Sequence, residues 1–263
     1  HLSTDIFLRN IFPAGNGTIN SLAGIMVNTP VTSLAQSKYV NTTFQSSVAM
    51  PFLSAGYNTT FITGGKLGWR NINLFIPNQY FEKTESKDNV LKEIPGSSEC
   101  EWGVYDEYLF DYVLKKLEHA TRPQMIFVLT TTNHTPFHLP VNYKPYPINI
   151  SPELKGKLLI DETLAKKNLT NLQYSNDCLG KFMDKIKASS LADETIVAAT
   201  GDHNNLMLVD FKEEQMYQQR SVPIYMYVPS AYMQGFKSDS ARWGSHKDIF
   251  PTLINLSLPE AQY

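Results

Sequence analysis

Short apolar runs separated by polar, turn-forming residues recur along this chain. They predict β-strands at residues 59–63, 125–129 and 195–199, because short β-branched or apolar runs bounded by glycine and polar residues are typical of buried strands. The run at 222–228 predicts a further strand. Pro223 interrupts this last run, so we expect that strand at the periphery of the sheet, where a missing backbone N–H group costs little.

Between these runs, apolar residues recur at helical spacing. This pattern predicts helices at residues 106–117, 164–186 and 247–256. Asp106 is expected to cap the first helix, and Pro251 is tolerable in the first turn of the last one. The alternation of strands and helices predicts an α/β fold with a mainly parallel sheet.

The composition narrows the class of protein without indicating a function. The chain has 263 residues, 42% hydrophobic and 18% charged, which is typical of a folded protein large enough for a single α/β domain spanning 1–263. A net charge of −2 provides no basic face for nucleic acid. No apolar run in the sequence approaches the roughly twenty residues that cross a bilayer. Cys100 and Cys178 are compatible with one disulfide or with two buried thiols.

The clearest chemical signal is the sequence Gly201-Asp202-His203, which follows the apolar run 195–199. The carboxyl ends of parallel strands open into the usual ligand crevice of an α/β sheet. A carboxylate oxygen beside an imidazole nitrogen suits a divalent cation such as Mn, Zn or Mg. The alternative is that Asp202 caps the end of the strand and that His203 is a surface residue.

A second segment, residues 14–21, places a hydroxyl group at a glycine-rich turn. Gly15 and Gly17 flank a polar tip, and apolar residues at helical spacing follow Thr18. The N–H groups and the dipole of a helix N-terminus favour a phosphate or another oxyanion beside that hydroxyl. A metal or a base would make Thr18 a nucleophile. The alternative is that Thr18 is simply the N-cap of the helix.

Three further loops carry candidate side chains. His134 follows the strand at 125–129, and it either binds or protonates a phosphate ester or is a hydrogen-bonded loop histidine. Arg70 follows the strand at 59–63, and it either clamps an anionic head group or is a surface arginine. His246 precedes the last predicted helix and is expected to point into the same crevice. Together these segments predict a metal-assisted transfer site for a phosphate or sulfate ester.

In their order along the chain, these segments resemble the sulfatase-like branch of the alkaline phosphatase superfamily, and most closely its lipoteichoic acid synthase and phosphoglycerol transferase group. The matching pieces cover nearly the whole chain and are Gly17-Thr18, residues 64–71, residues 102–106, Asn133-His134-Thr135-Pro136-Phe137, Gly201-Asp202-His203 and residues 245–253. The resemblance implies an alkaline-phosphatase/sulfatase-like fold, in which helices cover both faces of a mainly parallel central sheet.

The resemblance also implies a role for each candidate residue. Thr18 is the nucleophile and a metal ligand, and Asp202 and His203 are further ligands of a divalent metal, Mn or otherwise Zn or Mg. His134 has a catalytic role at the substrate phosphate. The implied substrate-binding residues are Arg70, His134 and His246. In this family the first metal ligand is an acidic residue on a strand well before the nucleophile, and we expect no such strand before Thr18 here.

The implied reaction moves a phosphoglycerol-type head group from a phospholipid to a glycan or polymer acceptor through a phospho-threonine intermediate. The alternatives are a phosphoethanolamine transferase, a hydrolase of phosphodiesters or sulfate esters, and a binding domain without activity. Sulfatases of the superfamily use a cysteine or serine nucleophile, followed by proline two positions later and arginine four positions later. Here these positions are Thr18, Asn20 and Leu22, which disfavours sulfatase chemistry.

Members of this group act outside the cytoplasm, usually tethered by membrane helices ahead of the catalytic domain. The resemblance therefore implies the extracytoplasmic face of a bacterial inner or plasma membrane, in the periplasm or at the cell surface. The chain begins at His1 without an initiator methionine and stops at Tyr263. We therefore expect a catalytic domain truncated at both ends, with the membrane segment and the strand of the first metal ligand outside the printed residues.

Overall fold

A computed structural model describes residues 5–31, 33–205, 207–233 and 239–258, and the two chain ends at His1 and Tyr263 lie outside the described residues. The α-helices are α1 (Thr18–Val27), α2 (Ala49–Ser54), α3 (Ile72–Phe75), α4 (Lys87–Glu93), α5 (Asp106–Glu118), α6 (Pro152–Lys155), α7 (Glu162–Lys187), α8 (Met216–Arg220) and α9 (Ile249–Ser257). The β-strands are β1 (Ile6–Phe12), β2 (Asn58–Thr63), β3 (Lys83–Glu85), β4 (Gln124–Leu129), β5 (Val197–Thr200), β6 (Val222–Tyr227) and β7 (Trp243–Ser245).

The strands form two sheets, with the orders β5-β6-β1-β7 and β3-β2-β4. In the second sheet, β3 and β4 both pair in parallel with β2. In the first sheet, β6 is antiparallel to β5 and to β1, and β1 is parallel to β7. Parallel pairing therefore predominates among the described strands, as the sequence predicts.

The predicted strands β2 and β4 are confirmed, and β5 begins two residues later than predicted. The peripheral position predicted for β6 is wrong, because β6 lies between β5 and β1. A β-bulge explains how an internal strand holds Pro223. The register moves from Leu8 opposite Ile224 to Ile11 opposite Val222, so β1 has one extra residue where it passes the proline. The ladder is already interrupted there, and bulges are among the places where a sheet accepts proline.

The three predicted helices correspond to α5, α7 and α9. Pro251 lies in the first turn of α9, where no intrahelical N–H bond is lost. Asp106 does not cap α5 as predicted. Tyr105 occupies the N-cap position, and Asp106 is the first helical residue with its side chain fully buried.

Helices pack on both faces of the β-structure. On one face, apolar residues of α1, α2 and α9 form a core with β-strand residues such as Phe61 and Ile224. On the other face, residues of α5 and α7 pack against Ile62 and Tyr225. Each fully buried large side chain contributes about 1.5–3 kcal/mol of transfer free energy. The predicted class, a mainly parallel α/β sheet flanked by helices on both faces, is confirmed.

Two questions left open by the sequence concern cysteines and membrane segments. Cys100 and Cys178 are both free thiols, and Cys178 is buried within α7. None of the helices in the described residues has the length and apolar character needed to span a membrane.

Candidate active site

The hydroxyl of Thr18 lies at the first residue of helix α1. Gly17 occupies the N-cap position, and no side chain caps the helix. The alternative that Thr18 is the N-cap is therefore wrong. The Thr18 hydroxyl instead donates a hydrogen bond to Asp202 Oδ2 at 2.5 Å. The two segments singled out in the sequence as nucleophile and metal ligand thus meet directly, although 184 positions separate them.

Two small residues hold the Thr18 turn in place. Gly15 packs so closely on the start of α1 that a Cβ atom there would lie 2.6 Å from Asn20 Cβ. The Ser21 hydroxyl donates to the Asp202 carbonyl oxygen at 2.6 Å. The role of Ser21 was not predicted. The available signal was its spacing, because a residue three positions after Thr18 lies on the same helix face.

Asp202 and His203 lie in the turn that follows β5, as the sequence predicts. The His203 backbone N–H group donates to Asp202 Oδ1 at 3.0 Å, and His203 Nε2 lies 3.5 Å from Asp202 Oδ2. With the Thr18 hydroxyl, these groups provide oxygen and nitrogen donors of the kinds that Mn, Zn or Mg accept. Within the described ranges, no third histidine, cysteine, aspartate or glutamate completes a metal-binding cluster.

The expectation that no strand with the acidic ligand precedes Thr18 stays a prediction, because β1 ends six residues before Thr18 but contains no aspartate or glutamate. This strand does not bring an acidic side chain to the site. Its neighbouring acid, Asp5, precedes the start of β1 and accepts hydrogen bonds from Lys187 Nζ at 2.7 Å and from the Tyr225 hydroxyl at 2.6 Å. The acidic ligand expected from the resemblance is therefore not supplied by β1.

His246 lies beneath the site and contacts both turns, the one before Thr18 and the one before Asp202. Its ring is 1% exposed. Nδ1 accepts a hydrogen bond from the Ala14 backbone N–H group at 3.1 Å, and the protonated Nε2 donates to the Gly201 carbonyl oxygen at 2.9 Å. His246 therefore does not point into the crevice as predicted. Both ring nitrogens are used to hold the backbone on either side of Thr18 and Asp202.

Burial makes the stability of this arrangement dependent on pH. Desolvation lowers the pKa of the His246 imidazole below its ordinary value of 6.5. In the unfolded chain the histidine takes up a proton near pH 6.5, which the buried ring resists. The contribution of His246 to stability is therefore complete above about pH 6.5 and is lost as the pH falls toward the lowered pKa of the folded state.

We expect the free energy of unfolding, measured by urea titration between pH 7.5 and pH 5, to fall more steeply for the natural chain than for His246→Gln. The glutamine variant starts from a lower stability at pH 7.5, because it loses at least one of the two backbone hydrogen bonds. Parallel pH profiles for the two proteins would contradict the assignment of this proton uptake to His246.

The loop that carries His134 is anchored to a buried carboxylate. Asp106 Oδ1 accepts from the Thr132 hydroxyl at 2.8 Å and from the Thr132 backbone N–H group at 3.2 Å. Asp106 Oδ2 accepts from the Ser175 hydroxyl on α7 at 2.9 Å. Burial raises the pKa of Asp106, and these hydrogen bonds oppose that shift. This anchor was not predicted, because its partners are far apart in sequence.

His134 itself is exposed and rests on Trp102, with ring centroids 3.7 Å apart. The Trp102 indole N–H group donates to the Thr135 carbonyl oxygen at 2.7 Å, and His134 Nδ1 lies 3.0 Å from the same oxygen. Trp102 therefore fixes the orientation of the imidazole. Its backbone is held in turn by Gly103, where any Cβ atom would lie 1.9 Å from the Gly64 carbonyl oxygen.

Arg70 is exposed, with a left-handed backbone (φ 51°), and its Nη1 donates to Gln36 Oε1 at 3.3 Å. A cavity of 2930 Å³ joins these elements. Its lining includes Thr18, Arg70, His134, Asp202 and His203, whereas His246 lies behind the wall. Five of the six predicted site residues therefore face one cavity.

Comparison with known proteins shows the family to which this chain belongs. The family model described as Sulfatase matches residues 5–257. Lipoteichoic acid synthase 1 of Bacillus subtilis is 24% identical over 232 residues, covering 84% of this chain and 34% of that protein. Phosphoglycerol transferase I of Salmonella arizonae is 23% identical over 193 residues, covering 71% of this chain and 24% of that protein. The chain thus spans 34% of the first relative's length and 24% of the second's.

A solved structure shows the same fold. The lipoteichoic acid synthase LtaP from Listeria monocytogenes superimposes with a TM-score of 0.75 at 18% identity, covering 97% of this chain and 63% of that chain. The family match over residues 5–257 includes every predicted site residue. This chain belongs to the sulfatase family.

Proposed function

We propose that this chain is the catalytic domain of a phosphotransferase that moves a phosphoglycerol-type head group from a phospholipid to a glycan or polymer hydroxyl. The observation that carries the proposal is the 2.5 Å hydrogen bond between the Thr18 hydroxyl and Asp202 Oδ2, at the N-terminus of a ten-residue helix. A hydroxyl aligned with a base and beside free helix N–H groups is suited to attack on an anionic phosphorus centre.

The residues that would hold a divalent metal are Thr18, Asp202 and His203. Their hydroxyl, carboxylate and imidazole donors suit Mn, with Zn and Mg as alternatives. When bound, such a metal supplies Lewis-acid stabilisation of the charge that develops on the phosphoryl oxygens. Within the described residues this site offers one carboxylate, one imidazole and one hydroxyl group. A further ligand is therefore needed for tight binding of the metal.

The chain's own groups account for the proton transfers. Thr18 Oγ1 bonds to phosphorus while the phosphorus–oxygen bond to diacylglycerol breaks, and the hydroxyl proton passes to Asp202 Oδ2, which already accepts it. His134 is the acid that protonates the leaving alcohol from its position over Trp102. An acceptor hydroxyl then attacks the phospho-threonine and gives its proton to His134, while the bond from phosphorus to Thr18 Oγ1 breaks and the proton held by Asp202 returns to Thr18.

The phosphoglycerol head group and the lipid donor are proposed from the names of the relatives and from Arg70. This guanidinium faces the cavity on an exposed loop and is suited to an anionic head group. A lipid donor and a cell-envelope acceptor favour the extracytoplasmic side of a bacterial membrane. Sulfate-ester hydrolysis is disfavoured, because Leu22 is 4% exposed in the apolar core where a sulfatase would need its arginine.

The proposal predicts a covalent adduct on Thr18. After incubation of the chain with Mn²⁺ and phosphatidylglycerol vesicles, peptide mass spectrometry should find glycerophosphate on the Thr18 peptide. Thr18→Ala should give no adduct. Thr18→Ser should give a reduced amount, because serine keeps the hydroxyl but lacks the methyl group that restricts its rotation.

The same experiment separates the alternatives. A phosphoethanolamine adduct from mixed-lipid vesicles would keep the mechanism and change the head group. Released glycerophosphate without an adduct, and with no need for an acceptor, would indicate direct hydrolysis. Complete absence of an adduct and of released product with bound Mn²⁺ would overturn the proposed transferase activity.

A further inference from the structure

Three exposed aromatic side chains meet on the surface beside the candidate active site. Phe12 at the end of β1, Trp243 on β7 and Tyr217 on α8 are 41%, 50% and 41% exposed. The rings of Phe12 and Trp243 are stacked, with centroids 5.5 Å apart and an angle of 20° between their planes. The Tyr217 ring meets the Trp243 ring edge-on at 5.2 Å. We call these three side chains the aromatic platform.

The sheet explains how two of these rings come together on one face. Adjacent residues of a strand point to opposite faces, and Ile11 is buried in the core that contains α1 and α9. Phe12 therefore points to the other face. In the parallel pairing of β1 with β7, Trp243 lies beside Asn10, which shares its face with Phe12. On that face Tyr225 is buried against α5 and α7, whereas the platform remains exposed.

The size of the platform decides what kind of partner it fits. An aromatic side chain carries about 150–250 Å² of surface, so the exposed parts of the three rings amount to roughly 200–300 Å². A stable protein–protein interface needs about 800 Å² from each partner. The platform is therefore too small to hold a second copy of this chain by itself, and its area fits a small ligand.

Amide groups border the platform and define its chemistry. Gln218 Nε2 donates a hydrogen bond to the Tyr217 hydroxyl at 3.3 Å, and Gln218 Oε1 accepts one from Gln215 Nε2 at 3.4 Å. Asn10 adds a third amide beside Trp243. Each side-chain amide offers two donor hydrogens and an acceptor oxygen, so this border has hydrogen bonds left for several hydroxyl groups of a ligand.

The platform is joined to both turns of the candidate active site. Asn204 Nδ2 donates to the carbonyl oxygen of Ser221, the C-cap residue of α8, at 3.0 Å, and both residues line the cavity. On the other side, Phe12 ends β1 six residues before Thr18. A ligand on the platform therefore lies beside the cavity that contains the nucleophile.

We propose that the aromatic platform is a glycan-binding site, on which a hexose ring of a neutral oligosaccharide stacks. Such a ring has an apolar face of C–H groups and an edge of hydroxyl groups. The apolar face packs on the exposed aromatic surface, and the hydroxyl groups bond to the amides of Asn10, Gln215 and Gln218. That this glycan is the acceptor of the transferred group rests on the proposed function, whereas its binding to the platform does not.

Two other ligand classes fit these observations less well. A lipid chain would cover the rings but offers no partner to the amide groups around them. The surface of an anionic membrane would be repelled by Glu213 and Glu214, which are exposed just before α8. A neutral glycan satisfies the rings and the amides together.

The first test measures sugar binding in the absence of lipid and metal. The probes are cellohexaose, maltohexaose and chitohexaose, neutral glycans that differ in linkage and substituents. Saturation-transfer NMR identifies the sugar protons that touch the protein, and calorimetry measures the dissociation constant. We expect at least one probe to bind, with saturation concentrated on the C–H protons of a ring face. Absence of saturation transfer to all three probes would overturn the proposal.

Two substitutions at the platform and one matched control locate the binding. Trp243→Ala should raise the dissociation constant by about tenfold or more, as expected for truncation of a central aromatic anchor. Trp243→Phe keeps a ring and should raise it less. Tyr39→Ala removes a tyrosine that is 43% exposed and lies against Lys38, and it should leave the constant unchanged. Equal affinities of Trp243→Ala and Tyr39→Ala would contradict the assignment of binding to the platform.

A second measurement asks whether the bound glycan is the acceptor. Mass spectrometry follows transfer of the group from the Thr18 adduct to the oligosaccharide that binds. The ratio of the transfer rate to the rate of adduct formation should fall about tenfold in Trp243→Ala and stay unchanged in Tyr39→Ala. An unchanged ratio in Trp243→Ala would overturn the acceptor role.

Sedimentation separates the glycan from a protein partner. A dimer of the natural chain that Trp243→Ala dissociates would identify a second copy as the occupant of the platform and would overturn the proposal. Sugar binding needs neither lipid nor metal, so a chain that forms no adduct would contradict the proposed reaction and leave the glycan-binding test intact.

Discussion

Asp202→Asn is expected to slow formation of the Thr18 adduct by about a thousandfold, within the range of about 10²–10⁴ that general acid–base catalysis contributes. The asparagine keeps the shape of the side chain and loses the charge that receives the Thr18 proton at 2.5 Å. It also removes the carboxylate from the proposed metal ligands. The measurement is the initial rate of adduct formation by peptide mass spectrometry.

Asp210→Asn is a matched control, because it makes the same chemical change at an exposed position eight residues later. This variant should form the adduct at the natural rate. A thermal unfolding profile should show that Asp202→Asn is folded, since the Ser21 hydroxyl binds the backbone of residue 202, not its side chain. An Asp202→Asn chain that forms the adduct at the natural rate would exclude Asp202 as the base.

The largest effect on stability is expected from Asp106→Ala, which should lower the free energy of unfolding by roughly 3–4 kcal/mol. The alanine removes the acceptor for the Thr132 hydroxyl, the Thr132 backbone N–H group and the Ser175 hydroxyl. Each buried donor left unpaired costs about 1–3 kcal/mol, partly relieved by rearrangement. Urea unfolding at pH 7.5 measures the difference.

Two further variants separate charge from shape and position. Asp106→Asn keeps one acceptor oxygen and should cost roughly half as much as the alanine. Asp111→Ala lies on the same helix but pairs with Lys185 at a site where both side chains are over 40% exposed, so it should cost less than about 1 kcal/mol. Equal losses for Asp106→Ala and Asp111→Ala would show that the buried network does not anchor the loop.

The local pattern of apolar and polar residues predicted the strands and helices that keep one hydrophobic pattern along their whole length. The apolar run of β2 is buried, the apolar run of β4 is half-buried and packs against both cores, and α5 and α7 keep one apolar stripe throughout. Strand β1 escaped prediction because Arg9 and Asn10 interrupt its apolar run, at the point where the register shifts between Leu8 and Ile11. The same β-bulge lies where β1 passes Pro223 of β6. The missed prediction of β1 and the wrong peripheral position of β6 therefore involve the same irregularity.

At the candidate site, too, local sequence predicted some residues correctly as neighbours and missed the position of others. Motif chemistry predicted Thr18, Asp202 and His203 as candidates that lie close together in the fold, because strand ends and helix starts place polar groups at a common edge. It was insufficient for His246, whose role depends on two backbone groups that are distant in sequence. A histidine buried behind a site and one that points into it have the same local sequence.

By itself, the sequence determined the α/β class, the residues at the strand ends and the family resemblance, because these depend on local periodicity and on short motifs. Only the tertiary structure decided which groups meet. It brought Thr18 to Asp202 and buried Asp106 beneath the His134 loop. Pairing across a sheet and hydrogen bonds between distant loops arise from the packing of the whole chain, and no window of neighbouring residues contains them.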